Sequence, residues 1–276
     1  MIRYPSHAGS FYPASKDEIG ELFSKFESAT RDIIVSVENP FALVSPHAGY
    51  IYSGMVAYAT YKNTFLQKIY NTVIILGPSH YVYLSGASIY PEGSWLTPMG
   101  EVIIDSDCAK KLLEKSPHFI SAPELHRREH SIEVQIPFIQ FFQPRAKIVP
   151  VLVGDLTDKM IEELGEAISE ALSERDDVLI VASSDLYHGE SYRACIESDK
   201  RTIDAILKRD WKDFLRKAQS GEIMACGEMP ISILLSTLEH LRKPVEGKLV
   251  MYTNSADVTG LKGGYVVGYS GIIFGV

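Results

Sequence analysis

Five residues stand where donor chemistry is easiest to build: His47, His80, Asp185, His188 and Cys226. The three histidines each follow a short β-branched apolar run. Phe41-Ala42-Leu43-Val44 leads into Ser45-Pro46-His47-Ala48-Gly49-Tyr50, Thr72–Leu76 into Gly77-Pro78-Ser79-His80, and Val178–Ala182 into Ser183-Ser184-Asp185-Leu186-Tyr187-His188. Two imidazoles, His47 and His80, with one thiolate, Cys226, make a three-ligand site that leaves a metal position open for water or substrate. Such nitrogen and sulfur donors suit Zn, Fe or Cu rather than Mg or Ca. Cys226 precedes a helix expected over Ile231–His240, with Pro230 in its first turn, so the helix N-terminus is expected to lower the thiol pKa. Asp185 and His188, three residues apart, are expected to face the same site. One would orient by hydrogen bonding, and the other would act as acid/base or as a further ligand.

The elements that must position these residues follow from periodicity. The three apolar runs and a fourth, Lys147–Val153, which ends at Gly154-Asp155, read as buried strands. Amphipathic helices are expected over Lys16–Phe26, Gly54–Tyr61, Asp105–Lys115, Ile132–Phe142, Asp158–Ser173 and Tyr192–Lys208. Strands alternating with helices predict a layered α/β/α fold around a largely parallel sheet. In the tail, Lys248–Tyr252, Gly264–Tyr269 and Ile272–Val276 predict antiparallel strands joined by Gly-rich turns, which makes the sheet mixed. In open α/β sheets, ligands bind beyond the carboxyl ends of the strands, where His47, His80, Asp185 and His188 fall.

The chain has 276 residues, 46% of them apolar, with no repeat and no Pro/Gly/Ser-rich linker, so a single domain over 1–276 is expected. Lys and Arg number 27 against 35 Asp and Glu, a net charge of -8, which argues against nucleic-acid partners and anionic membranes. The opening residues lack the apolar stretch of a secretory signal, and no run approaches the roughly 20 residues of a membrane span. Three cysteines cannot supply a disulfide framework and fit a reducing cytoplasm. Cys108 and Cys195 read as structural.

Other residues carry two readings. In Glu129-His130-Ser131-Ile132-Glu133, Ser131 and Glu133 could cap a helix, or His130 and Glu133 could stand at a cleft rim. His126, Arg127 and Arg128 form a basic cluster able to receive an anion or to be a solvated loop. His7 could line the cleft or pack the N-terminal segment, and Tyr50, Tyr52 and Tyr81 could wall a pocket or fill the core.

The motifs quoted above, with His7-Ala8-Gly9-Ser10-Phe11-Tyr12-Pro13, Glu129–Phe138 and Ala225-Cys226-Gly227, resemble the Memo family over nearly the whole chain. The resemblance implies a fold like LigB, the catalytic subunit of class III extradiol dioxygenases, which hold non-haem Fe(II) with two histidines and a glutamate. It implies that His47 and His80 match the histidine ligands, that Cys226 stands at the glutamate's place, and that His188 matches the acid/base histidine with Asp185 beside it. A thiolate there softens the site and adds an oxidisable ligand, so dioxygenase activity does not follow from the fold. The resemblance favours Fe or Cu, with Zn also compatible, and a metal-dependent redox enzyme acting on a small molecule. Its alternative is a binding module for a phosphotyrosine-like peptide or small anionic ligand.

Overall fold

The computed structural model describes residues 1–173 and 175–276. Its strands are β1 (Ile2–Arg3), β2 (Ala42–Ser45), β3 (Thr72–Pro78), β4 (Ala87–Ile89), β5 (Ser94–Thr97), β6 (Gly100–Ile103), β7 (Phe119–Ser121), β8 (Lys147–Val153), β9 (Val178–Ser183), β10 (His188–Gly189), β11 (Glu246–Asn254) and β12 (Val266–Gly275). The four strands expected from the apolar runs form a parallel centre in the order β2-β9-β3-β8. Antiparallel β12 extends it on one side and carries β10 and β11; antiparallel β4, paired in turn with β7, extends it on the other. The sheet is therefore mixed.

Side-chain alternation explains why helices cover both faces. Val73 and Ile75 pack into one apolar cluster while Ile74 and Leu76 pack into the other, and Leu179/Val181 against Ile180/Ala182 repeat the pattern. The first cluster takes helices Lys16–Ala29, Tyr50–Phe65 and Ile136–Phe142; the second takes Ser106–Lys115, Asp158–Leu172, Tyr192–Lys208, Trp211–Gln219 and Glu228–His240. Continuous apolar runs are what a strand buried on both faces requires. No helix among the described residues is long and apolar enough to cross a membrane.

The structure departs from expectation at several elements, among them β4, β7 and helix Trp211–Gln219, which the apolar patterning did not predict. The helix expected over Ile132–Phe142 is two, His130–Glu133 and Ile136–Phe142. Pro137 lacks the N–H that a continuous helix would direct to the Glu133 carbonyl, so the chain turns there. The two tail strands expected from Gly264 onward are one, β12, because Gly271 is a strand residue, not a turn. It opposes Met251 beside a register shift in β11, and a Cβ there would lie 1.7 Å from Thr60 Oγ1, so glycine admits the close approach of helix Tyr50–Phe65. A small sheet, β1-β5-β6, was not foreseen, since its strands are two to four residues long.

Candidate metal centre

Strands β2, β9 and β3 are neighbours, and their carboxyl ends deliver His47, Asp185 with His188, and His80 to one place. Cys226 arrives from the turn before helix Glu228–His240, where its backbone N–H donates to the Asp185 carbonyl (3.2 Å). Gly77 lets β3 run hard against helix His130–Glu133; a Cβ there would stand 2.5 Å from Ile132 Cγ1 and Ser131 Oγ. The glycine of Gly77-Pro78-Ser79-His80 thus serves packing, and the histidine after it serves the site.

Two groups of donors converge, and they share His47. One is His47, His80 and His130; the other is His47, Asp185 and Cys226; within each, the ligand atoms lie within 4.8 Å of one another. His80 and Cys226 fall in different groups. Cys226 Sγ lies 3.1 Å from His47 Nε2 and receives the Asp185 backbone N–H at 3.2 Å.

The hydrogen-bond network assigns the tautomer of His47. Ser183 Oγ is 2.6 Å from the Ser131 carbonyl, an acceptor only, so its single hydrogen goes there. Ser183 Oγ then accepts from Gln135 Nε2 (2.8 Å) and from His47 Nδ1 (2.9 Å). His47 Nδ1 carries the proton, and its Nε2 lone pair points to Cys226. His80 is fixed in the same sense: its Nδ1 donates to Glu129 Oε1 (2.9 Å) and its backbone N–H to Glu129 Oε2 (2.8 Å). Burial raises the Glu129 pKa, but the hydrogen bonds from His80 and Ser131 outweigh it and bring it to about 2, so Glu129 is the ionised acceptor. A carboxylate behind a histidine orients the ring and raises its basicity. Glu129, Ser183 and Gln135 carried no role in the sequence reading. The nearest signal was an acid directly before His130.

Burial first, and the neighbouring histidines second, lower the pKa of both His47 and His130 to about 3, so both are neutral imidazoles at neutral pH. The thiol departs from expectation. Burial, and then the Asp185 carboxylate, push Cys226 well above the ordinary thiol range, which outweighs the helix N-terminus one residue on. Asp185 is itself raised by burial, against the N–H groups of His47 (2.8 Å) and Ala48 (3.3 Å) on its Oδ1. A cation between His47 and Cys226 reverses this balance, because it favours the thiolate directly.

His47, His80, His130, Asp185 and His188 line one cleft of about 590 Å³, walled by Phe11, Tyr52, Tyr265 and Tyr269. His188 Nδ1 donates to the Leu186 carbonyl (2.9 Å), which leaves Nε2 as its free base nitrogen. His130 therefore belongs to the cleft, stacked on His80 with ring centroids 4.4 Å apart. Tyr50 is buried in the aromatic core, whereas Tyr81 lies beside His7 and His80. His7 holds the Arg128 carbonyl through Nε2 at 2.7 Å.

Glu133 is structural and does not face the cleft. Fully buried, it accepts from Arg3 Nη1 (2.5 Å), the N–H groups of Ser6 (3.0 Å) and His7 (2.9 Å), and Tyr12 Oη (2.7 Å), tying the N-terminal segment to the fold. Glu133→Ala is expected to cost about 3–5 kcal/mol, because Arg3 is left buried without its partner. Chemical denaturation measures it, and a loss below about 1 kcal/mol, the worth of an exposed pair, would refute the anchoring role. The helix cap is Glu129, which accepts from Ser131 N–H, and not Ser131. Of the basic cluster, His126 is buried with Nε2 on the Ser88 carbonyl, whereas Arg127 and Arg128 are exposed, Arg128 lying over Tyr81. Cys108 and Cys195 are buried, and burial pushes the Cys108 thiol up to about 11.

Residues 3–273 match the model of the family described as Memo-like protein. A protein of Sulfurisphaera tokodaii named as a MEMO1 family protein is 36% identical, with 100% of each chain covered. One of Thermococcus onnurineus with the same name is 37% identical over 99% of each. Among solved structures, an uncharacterised protein of Escherichia coli shares the fold at a TM-score of 0.53 and 12% identity, covering 82% of this chain and 98% of its own.

Proposed function

We propose, from the premise that this chain belongs to the Memo-like family, that it is a metal-dependent redox protein whose cleft holds Fe or Cu through His47, His80 and Cys226. The observation that carries the reading is the pair of imidazoles whose Nδ1 protons are already committed, to Ser183 and to Glu129, beside a thiol 3.1 Å from His47 Nε2. Tautomers fixed at Nδ1 leave Nε2 as the nitrogen that can bind a metal, that of His47 facing the Cys226 thiol, and the donor set fits a soft or borderline transition metal. A bound Fe or Cu would supply one-electron chemistry and activation of dioxygen or peroxide.

The residues of the chain do the rest. Phe11, Tyr52, Tyr265 and Tyr269 line the cleft with apolar surface and seat a small, partly aromatic substrate. His188, with Nδ1 tied to Leu186, takes and returns a substrate proton at Nε2. Asp185 braces the β2 and β9 loops against each other through the His47 and Ala48 amides. Cys226 in the carboxylate's place requires a reducing, cytoplasmic setting, since over-oxidised thiolate is not readily restored. Recognition of an anionic or peptide ligand without chemistry is the weaker reading, because His126 of the basic cluster is buried and neutral and only Arg127 and Arg128 are left to receive an anion.

The test is turnover of catechols and of peroxide by protein loaded with Fe(II) or Cu. His188→Gln is expected to lower kcat by about 10²–10⁴-fold while metal content stays at the wild-type value. Full metal loading without turnover of any member of either panel would sink the redox assignment.

A further inference from the structure

We propose that the chain carries a second ligand site, at the edge of the sheet opposite the cleft, where a small pocket takes an apolar monocarboxylate, a short fatty or monoaryl acid, with its tail among Phe41, Val178 and Ile180 and its carboxylate on Lys68 and Lys243. The site does not depend on the metal reading. Strand β9 alone, at roughly 3.3 Å per residue, puts about 17 Å between Val178 at the pocket and Ser183 at the metal centre.

The space exists because two helices stop short. Helices Asp158–Leu172 and Glu228–His240 pack against each other on one face of the sheet and end together over the amino ends of its strands, where Val178 opens β9 and Phe41 directly precedes β2. Beneath their last turns lies a cavity of about 260 Å³, lined on its apolar side by Phe41, Val178, Ile180, Leu172 and Leu241. That volume falls just under the usual range for ligand pockets, about 300–1,000 Å³, so its occupant is small. The floor is apolar and the rim is charged.

Neither rim lysine is spent within the chain. Lys68 Nζ donates one hydrogen bond, to Asn39 Oδ1 (2.6 Å), and stands 5.6 Å from the centre of the Tyr70 ring. Although Asp176 lines the pocket, among the described residues no carboxylate comes within ion-pair distance of Lys68 or Lys243. Burial lowers the Lys68 pKa against the attraction of Asp176 and Asp177, and Lys243 lowers it further, so the two ammonium groups crowd one another. Arg175, also at the rim, is different, because Asp177 (2.9 Å) and Asp105 (3.3 Å) hold it. Helix C-termini attract cations, but here backbone N–H groups already take the end carbonyls, that of Leu172 from Arg175 and that of Thr237 from Leu241. Two unpaired ammonium groups over an apolar floor are complementary to one anion with an apolar tail, which relieves their repulsion and covers the floor together. An inorganic anion offers only the first of these, and a neutral apolar molecule only the second.

The experiment titrates the full chain with phenylacetate and with hexanoate, read by calorimetry and ligand-observed NMR, beside phenylacetamide, which drops the charge, and inorganic phosphate, which drops the tail. Wild type is expected to bind one equivalent of each acid, phenylacetamide at least about 10-fold more weakly, and phosphate without saturation. Lys68→Met and Lys243→Met should each weaken phenylacetate about 10-fold. Leu241→Trp, which keeps both ammonium groups and fills the cavity, should abolish binding while circular dichroism and urea unfolding match wild type; the lysine variants, which leave the core untouched, decide the matter if the tryptophan disturbs folding. Tyr265→Ala, in the metal cleft, should bind both acids as wild type does. No saturable binding of either acid, phenylacetamide or phosphate bound as tightly as phenylacetate, or affinity unchanged in both lysine variants would overturn the site. Loss of binding in Tyr265→Ala but not in Leu241→Trp would overturn it too, by placing the acid in the metal cleft.

Discussion

Replacing His47 by alanine is expected to abolish metal binding of every kind, an effect larger than that of any other single substitution in the cleft. His47 is the one residue common to both donor groups, and it is buried at 2% exposure. The contrast that makes the result informative is Glu129→Gln. There the His80 ring stays and the charge behind it is lost, with one amide nitrogen set against an N–H that the carboxylate accepted, which costs about 10–100-fold in affinity. His47→Ala should exceed that range for Fe, Cu and Co alike, and Ser183→Ala should fall within it. Metal analysis of tag-free protein, with chelator competition for the affinities, separates the cases. Retention of wild-type stoichiometry in His47→Ala would end the metal assignment altogether.

The ease with which each part was read from the sequence follows from the range over which its cause acts. The central strands are local: each is a short run of β-branched residues, and β3, β8 and β9 begin within the runs that predict them. The histidines were legible for the same reason, because a polar residue after a buried strand marks a carboxyl end. What was not legible depends on long-range closure. Ser183, itself held by Gln135, becomes the partner of His47, and Glu129 that of His80, only when the ends of β2, β9 and β3 meet the Glu129–Gln135 segment. The Cys226 thiol was misjudged because its helix terminus is local, whereas the burial and the Asp185 carboxylate that outweigh it come from a segment 41 residues away. Arg3 and Glu133, 130 residues apart, form their ion pair only in the closed fold.

Acid should unfold the metal-free protein unusually early. Burial is the leading cause that holds His47, His126 and His130 each at about 3, against an ordinary histidine value of 6.5. For a group whose folded pKa lies below its unfolded one, the unfolded chain takes up the proton first, so stability is lost as pH falls from 6.5 towards 3. Each such proton is worth about 1.4 kcal/mol per pH unit, and three together about 4. Glu129, lowered from 4.5 to about 2, adds loss of the same sign below pH 4.5. Asp185, Asp199 and Glu228, raised by burial, act in the opposite sense, because the native state protonates them first. The histidine loss sets in just below 6.5, where a native stability of about 5–15 kcal/mol leaves little reserve against so steep a slope. Urea unfolding at a series of pH values measures the slope. His126 isolates one proton of it away from the donor groups, since it packs edge-on to Tyr90 and Trp95 and belongs to neither group. His126→Gln should flatten the slope by about 1.4 kcal/mol per pH unit, even if it lowers stability at neutral pH by removing the bond to Ser88. A wild-type stability that stays level from pH 6.5 to about 5, or a slope that His126→Gln leaves unchanged, would show that these imidazoles are not held neutral by their burial.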